Sequence, residues 1–212
     1  MVLNIPQVLP TTETPNINYS YTDVSAGTGY VTYYAGTVSG ANILSNQAFY
    51  SNSLNSNILI NQTAYTKFLD EDFDVMFNMP QIMQGDSVIT LPVGFYHLGN
   101  SASPTASVYI VARIRKYANS TETEIAQGSS PVWTAGVATT NLFNYNTRTA
   151  KVRIPTTAFA IGEYLRLTIE VWAKEGEANN NRVIYYHDPM NRSSCDGEDY
   201  NQPLVSGASI LK

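Results

Sequence analysis

Apolar and polar residues alternate along this chain with a period of two, and no segment sustains the 3.6-residue period of an amphipathic helix. In residues 107–117, Val108, Ile110, Ala112 and Ile114 share one face, while Tyr109, Val111, Arg113 and Arg115 share the other. Residues 163–174 repeat the pattern, with Leu165, Leu167, Ile169 and Val171 set against Tyr164, Arg166, Thr168, Glu170 and Trp172. Residues 149–154 place Val152 and Ile154 opposite Lys151 and Arg153. Such alternation marks strands with one buried and one solvated face. Denser runs of β-branched and aromatic residues predict further strands at 30–34, 73–77 and 88–93. Ala118-Asn119-Ser120 predicts a turn, with 122–127 returning as a hairpin partner. Residues 175–181 predict a polar hairpin loop before a return strand at 182–187. The Asn-rich stretches 43–50 and 57–65 have no clear assignment, and the one place for a short helix is near 156–160.

Short strands at roughly ten-residue spacing, separated by Gly, Asn and Pro, predict an all-β, antiparallel β-sandwich of jelly-roll type. The expected domain spans 29–212 and ends in a polar tail. Residues 1–28 read as an extended N-terminal arm. Pro6, Pro10 and Pro15 exclude a continuous helix there, yet Val2, Leu3, Ile5, Val8 and Leu9 are too apolar for a solvated tail. These five are candidate interface residues. The expected surface beneath them is a neighbouring chain, with the arm's own domain as the alternative.

Composition narrows the classes. Charged residues make up 14% of the 212, against about 25% in an ordinary globular domain. In their place stand 20 Asn, 21 Thr, 18 Ser and 15 Tyr, a bias suited to work outside a cell or inside a large assembly. The net charge is −5 and no basic stripe exists, so direct nucleic-acid binding is not expected. No apolar run reaches the ~18 residues of a membrane-spanning helix. The opening MVLNIPQVLP lacks a basic n-region, so no signal peptide is expected either.

Candidate chemistry is sparse. Cys195 is the single cysteine, which excludes an internal disulfide and any cysteine-based zinc cluster. His97 and His187 are far apart and lack a nucleophile motif. The acidic run Asp70, Glu71, Asp72 and Asp74 is the sharpest cluster, with Asp70, Asp72 and Asp74 as weak candidate ligands for Ca²⁺. It lacks the spacing and the central glycine of an EF-hand loop, so the expectation is no metal and no cofactor, with solvated or salt-bridged carboxylates as the alternative. Asp196-Gly197-Glu198-Asp199 is a weaker case of the same kind. Glu163, Glu170 and Asp188 are conceivable members of a two-carboxylate glycosidase site. Tyr30, Tyr33, Tyr34, Tyr185 and Tyr186 are candidates for an aromatic ligand platform, Tyr33, Tyr34, Tyr185 and Tyr186 foremost. Glycosylation sequons at Asn18, Asn61, Asn119 and Asn191 are matches of the kind an Asn-, Ser- and Thr-rich chain produces by chance.

Three pieces, VARIRKYANSTETEIAQGSS, EYLRLTIEVWAKEGE and YYHDPMNR, resemble the β-sandwich virion proteins of tailed viruses of bacteria and archaea. The likeness covers about residues 107–192. It implies a non-enzymatic virion structural protein, located in the virion and decorating or cementing a capsid. Its partners would be other virion proteins and copies of itself, as a homo-oligomer. No catalytic motif accompanies the resemblance. Two other expectations stand beside it: a carbohydrate- or receptor-binding sandwich module with a glycan as ligand, and a filament subunit that donates its arm as a strand.

Overall fold

The alternation read from the sequence resolves into twelve strands, with no helix among the described residues. The structure, a computed structural model, describes residues 30–49, 55–97, 105–136, 143–176, 181–186 and 207–211. The strands are β1 (Tyr30–Val38), β2 (Ala41–Ser45), β3 (Asn55–Ile60), β4 (Thr66–Met76), β5 (Gln81–His97) and β6 (Thr105–Ala118). They continue as β7 (Thr121–Ser129), β8 (Trp133–Gly136), β9 (Phe143–Phe159), β10 (Tyr164–Glu175), β11 (Asn181–Tyr186) and β12 (Gly207–Leu211). The arm at 1–28, Cys195, His187, Asp188, the 196–199 cluster and the sequons at Asn18 and Asn191 lie outside the described residues.

The strands form two layers, as the all-β sandwich reading requires. In sheet I, β5 pairs along one edge with β9 and along the other first with β12 and then with β11. Strand β11 passes on to β3, and β12 to the first half of β1. Sheet II runs from the second half of β1 through β2, β4, β10 and β6, whose outer edge is shared by β7 and β8. Strand β1 therefore changes sheets: Tyr33 still pairs with Ala208, while Tyr34 pairs with Ser45. Strands that switch sheets in this way make the corners of sandwiches. All pairings are antiparallel except β2 with β4, which share a single parallel bridge at Ile43 and Asp74.

Local chemistry fixes the connections. Ser39 and Gly40 take φ of 51° and 81°, and Asn119 and Ser120 take 50° and 60°. Positive φ at both central residues is the type I′ geometry whose twist matches a tight hairpin. The predicted turn at 118–120 is thus a two-residue hairpin joining Ala118 to Thr121.

The inward rows are those the period-two pattern assigns. Leu165, Leu167 and Val171 are fully buried and Ile169 nearly so, as are Val108, Ile110, Ala112 and Ile114. Across the interior they meet Ile89, Leu91, Val93 and Phe95 of β5 and Val152, Ile154 and Phe159 of β9. At one side the two layers press together, where a Cβ on Gly128 of β7 would lie 2.1 Å from the Lys151 carbonyl oxygen of β9.

Three expectations about elements are corrected. Residues 156–159 are strand and not helix. Here β9 pairs with Gln81–Met83 after a bulge that accommodates Pro155, next to the pair of Ile154 with Gly85, whose φ is 104°. A bulge is where a residue without an N–H is tolerated in a sheet. Strands β4 and β5 are far longer than 73–77 and 88–93. Finally, part of the expected polar tail is strand β12, which fills the gap between β1 and β5.

Candidate functional site

The acidic run at 70–74 lies on β4, and the pleat divides it. Asp70, Asp72 and Asp74 point to the outer face of sheet II, whereas Glu71 belongs to the inward row with Phe73 and Val75. On the outer face Asp72 and Asp74 meet Arg166 of the neighbouring β10, and Asp70 meets Lys67 of its own strand. Asp74 accepts two hydrogen bonds from Arg166, at 2.8 and 2.7 Å. Asp72 faces Arg166 at 3.2 Å and accepts from the Thr168 hydroxyl, and Lys67 lies 2.5 Å from Asp70. Arg115 and Arg113 continue the ladder to Glu122 and Glu124 of β7, each at 2.9 Å. The Asp74 pair holds the Arg166 guanidinium further above its ordinary value. No group of three or more His, Cys, Asp or Glu among the described residues is placed to hold a metal ion. The weak calcium candidates Asp70, Asp72 and Asp74 are instead the acidic half of a cross-strand ion-pair network.

Glu170 anchors that network from below the surface. Its side chain is only 4% exposed, and it accepts from Arg113 Nε at 2.9 Å and Trp172 Nε1 at 2.8 Å. Burial pushes its carboxyl upward, but these hydrogen bonds outweigh burial and hold it below the usual carboxylate range. Glu163 sits in the turn before β10, 2.5 Å from Lys116. Seven residues of extended chain separate Glu163 from Glu170, about 23 Å at ~3.3 Å per residue. Glycosidase carboxylates stand roughly 5–9.5 Å apart, so these two do not form such a pair. His97 closes β5 and pairs in register with Asn181.

Of the tyrosines expected to form a platform, the three with described side chains, Tyr33, Tyr34 and Tyr185, do not share an exposed surface. Tyr185 is buried between the sheets and donates its hydroxyl to Glu71. Burial raises the Glu71 carboxyl above its ordinary value, and the Tyr185 hydrogen bond only partly opposes it. Tyr33 is also buried, which holds its hydroxyl in the protonated form. Tyr34 is half-buried, and the side chain of Tyr186 lies outside the described residues. Alternation explains the split of the first pair: Tyr33 and Tyr34 are adjacent, and adjacent residues of a strand face opposite ways. The surface aromatics the sequence reading passed over are Tyr109 and Trp172, register partners on β6 and β10 whose rings stack at 6.1 Å. Tyr65 meets Tyr109 edge-on at 5.2 Å, with Lys174 Nζ 4.8 Å from the Tyr65 ring centre.

A cavity of about 410 Å³ opens at the end of the sandwich where β1 changes sheets. With only one bridge between β2 and β4, sheet II is open between them there, and inward residues line the opening. Val31, Tyr33, Leu44, Val75, Met76, Phe77 and Met79 form the apolar lining, and Ser45, Asn46, Asn78 and Gln81 supply hydroxyl and amide groups. Two backbone hydrogen bonds tie the β4–β5 turn to the β9–β10 turn beside it, Phe77 N to Glu163 O at 3.0 Å and Gly162 N to Phe77 O at 2.8 Å. Around the opening Met76, Met79, Ile82 and Ile161 are each more than half exposed. None of the lining residues is charged. The chain carries no Asp, Glu, Lys or Arg between Asp23 and Lys67, nor between Asp74 and Asp86. That charge-free spacing, interrupted by Met76, Met79 and Met83, was the available sequence signal for this site.

No protein-family model and no curated protein matches the chain. Solved structures align with it at low similarity. A CocE/NonD family hydrolase from Staphylococcus aureus is 14% identical over 85% of this chain, with a TM-score of 0.45. An aminopeptidase from a marine sediment Thaumarchaeota archaeon is 7% identical over 86%, with a TM-score of 0.49. This chain spans 36% and 37% of those two proteins. A structure of infectious bursal disease virus, Gx strain, aligns over 82% with a TM-score of only 0.24. The expectation of a non-enzymatic virion structural protein is corrected here, because hydrolases lead the alignments and viral structures trail them. The resemblance to tailed-virus proteins reduces to a loose likeness among β-sandwiches. At these scores the hydrolase alignments themselves assign no activity to the chain.

Proposed function

We propose that this chain is a recognition β-sandwich whose open end takes an uncharged, apolar peptide segment. The observation that carries the reading is the charge-free cavity of about 410 Å³ at that end. Its volume falls within the ~300–1,000 Å³ of ordinary ligand sites, and its mixture of an apolar wall with a few hydrogen-bonding groups is their usual lining. A charged ligand entering it would lose hydration with no counter-charge to replace it. An apolar side chain loses nothing by entry, and the peptide groups beside it find partners in Asn46, Asn78 and Gln81. Met76 and Met79 are flexible, polarizable side chains that adapt to varied apolar surfaces.

Binding of acetyl-Leu-Val-Leu-amide, measured by calorimetry, tests the reading. Saturable binding that weakens at least tenfold in Leu44→Trp, where the new side chain fills the cavity, is the expected result. Equal binding by a tri-lysine peptide, or none by either, overturns it. Offering p-nitrophenyl butyrate in the same cell separates recognition from turnover: hydrolysis by the purified chain that Leu44→Trp abolishes makes the cavity an esterase site.

A further inference from the structure

We propose that the occupant of the open-end cavity is the chain's own segment Val2–Leu9, held there by the same molecule that bears the cavity. The inference rests on the reading of the cavity as a docking site for an apolar peptide. The segment is VLNIPQVL, five aliphatic residues interleaved with Asn4, Gln7 and Pro6. It carries no charge, like the cavity and its rim, so neither partner brings an ion that docking must strip of water. Its side chains are those that an apolar wall with amide groups at its margin accepts.

Connectivity supplies the second argument. The chain enters the described fold at Tyr30, and Val31 and Tyr33 are themselves cavity walls. The segment is thus tethered to the site it fills. The 21 residues between Leu9 and Val31 span roughly 25 Å as a flexible chain, at about 5–6 Å times the square root of their number. That length reaches any point on the same end of the sandwich. A tether of this kind presents the segment at about millimolar effective concentration, far above the micromolar concentration of second copies in an ordinary preparation. The exposed methyl groups of Met76, Met79 and Ile161 stand where the docked segment covers them. The sequence reading placed these aliphatic residues on a neighbouring chain, and the cavity gives them an acceptor on their own.

Cysteine trapping in the full chain tests the proposal. With Cys195 replaced by Ser, one variant carries Val8→Cys with Met79→Cys, and a control carries Val8→Cys with Arg153→Cys on the exposed outer face of sheet I. Mild oxidation at micromolar chain concentration is followed by non-reducing electrophoresis and peptide mass spectrometry. The expected result is an intrachain 8–79 link forming at least about tenfold faster than the 8–153 link, because docking, and not the tether shared by both sites, holds position 8 beside position 79. Equal rates, or no 8–79 link, overturn the proposal. A link between chains also overturns it and makes the occupant a second copy. A second readout avoids engineered cysteines: Ile5→Asp with Val8→Asp should free the cavity and tighten acetyl-Leu-Val-Leu-amide binding about tenfold. If the peptide binds the cavity equally in both forms, self-occupancy fails while the docking reading stands. If it binds neither form, both fail.

Discussion

A methyl group added at Gly128 should loosen the seal between the two sheets. The Cβ of Gly128→Ala would lie 2.1 Å from the Lys151 carbonyl oxygen, 2.9 Å from its carbon and 3.1 Å from Val152 Cγ2. Ordinary carbon–oxygen contacts begin near about 3.3 Å, so β7 and β9 must separate by roughly 1.2 Å at this point. The obstacle is backbone, which cannot rotate aside as a side chain can. Overpacking of a closed interior costs about 1–3 kcal/mol, and a backbone clash belongs at the upper end. The substitution also restricts the unfolded chain, which returns about 0.4–1 kcal/mol. The net loss is about 2 kcal/mol. For a chain of this length each kcal/mol lowers the melting temperature by about 2–4 °C, so a fall of about 4–8 °C is expected by calorimetry. Ser129→Ala, at the exposed neighbouring position, should stay within about 2 °C, as ordinary surface substitutions do. A Gly128→Ala protein melting with the wild type would mean that β7 does not press on β9.

Other consequences are as direct. Leu167→Ala, at a fully buried position in the middle of β10, should cost on the order of 2–5 kcal/mol in denaturant unfolding; a loss under about 0.5 kcal/mol would place Leu167 on the wrong face. Glu71 binds its proton more tightly in the folded state because burial raises its pKa. Its penalty is therefore absent below the unfolded value near 4.5 and grows as pH rises through the raised folded value. Glu71→Gln keeps an acceptor for Tyr185, so its stability relative to wild type should climb as pH rises above about 4.5 and level off once pH passes the raised folded value; a difference independent of pH would contradict the burial of that carboxyl. Glu170→Ala strips Arg113 Nε and Trp172 Nε1 of their acceptor and should cost about 1–3 kcal/mol. Glu170→Gln should recover part of that loss, and equal stability of the two variants would show that Glu170 contributes little beyond its volume.

The sequence made the central strands plain because their environment is simple. Strands β6 and β10 have neighbours on both edges, one dry face and one wet one, so burial writes itself into every second residue. Strand β4 obeys the same geometry, but Glu71 occupies an inward position and turns its alternation into what looks like an acidic cluster. Only the partner strand β10 shows that Arg166 and Thr168 stand opposite Asp74 and Asp72. Residues 155–159 lost their strand signature to Pro155, whose missing N–H is accommodated by a bulge that depends on Gly85 some seventy positions earlier. The segment GASIL of β12 is too short and small to announce itself, and it is a strand because β1 and β5 leave a gap of its width. The cavity was hidden for a related reason. Its walls are ordinary inward residues, and they line an opening only because β2 and β4 share one bridge where other neighbours share a ladder.

The five methionines of the chain offer the most direct test of the recognition reading. Met76 and Met79 line the cavity, whereas Met83 is buried in the core. Carbon-13 labelling of the methionine methyls gives one resonance each, assignable by single Met→Leu substitutions. Titration with acetyl-Leu-Val-Leu-amide should move the Met76 and Met79 signals along a saturable curve and leave Met83 in place. Signals at Met76 and Met79 that stay fixed up to millimolar peptide, in both the wild type and the Ile5→Asp, Val8→Asp chain, would contradict recognition at this end of the sandwich.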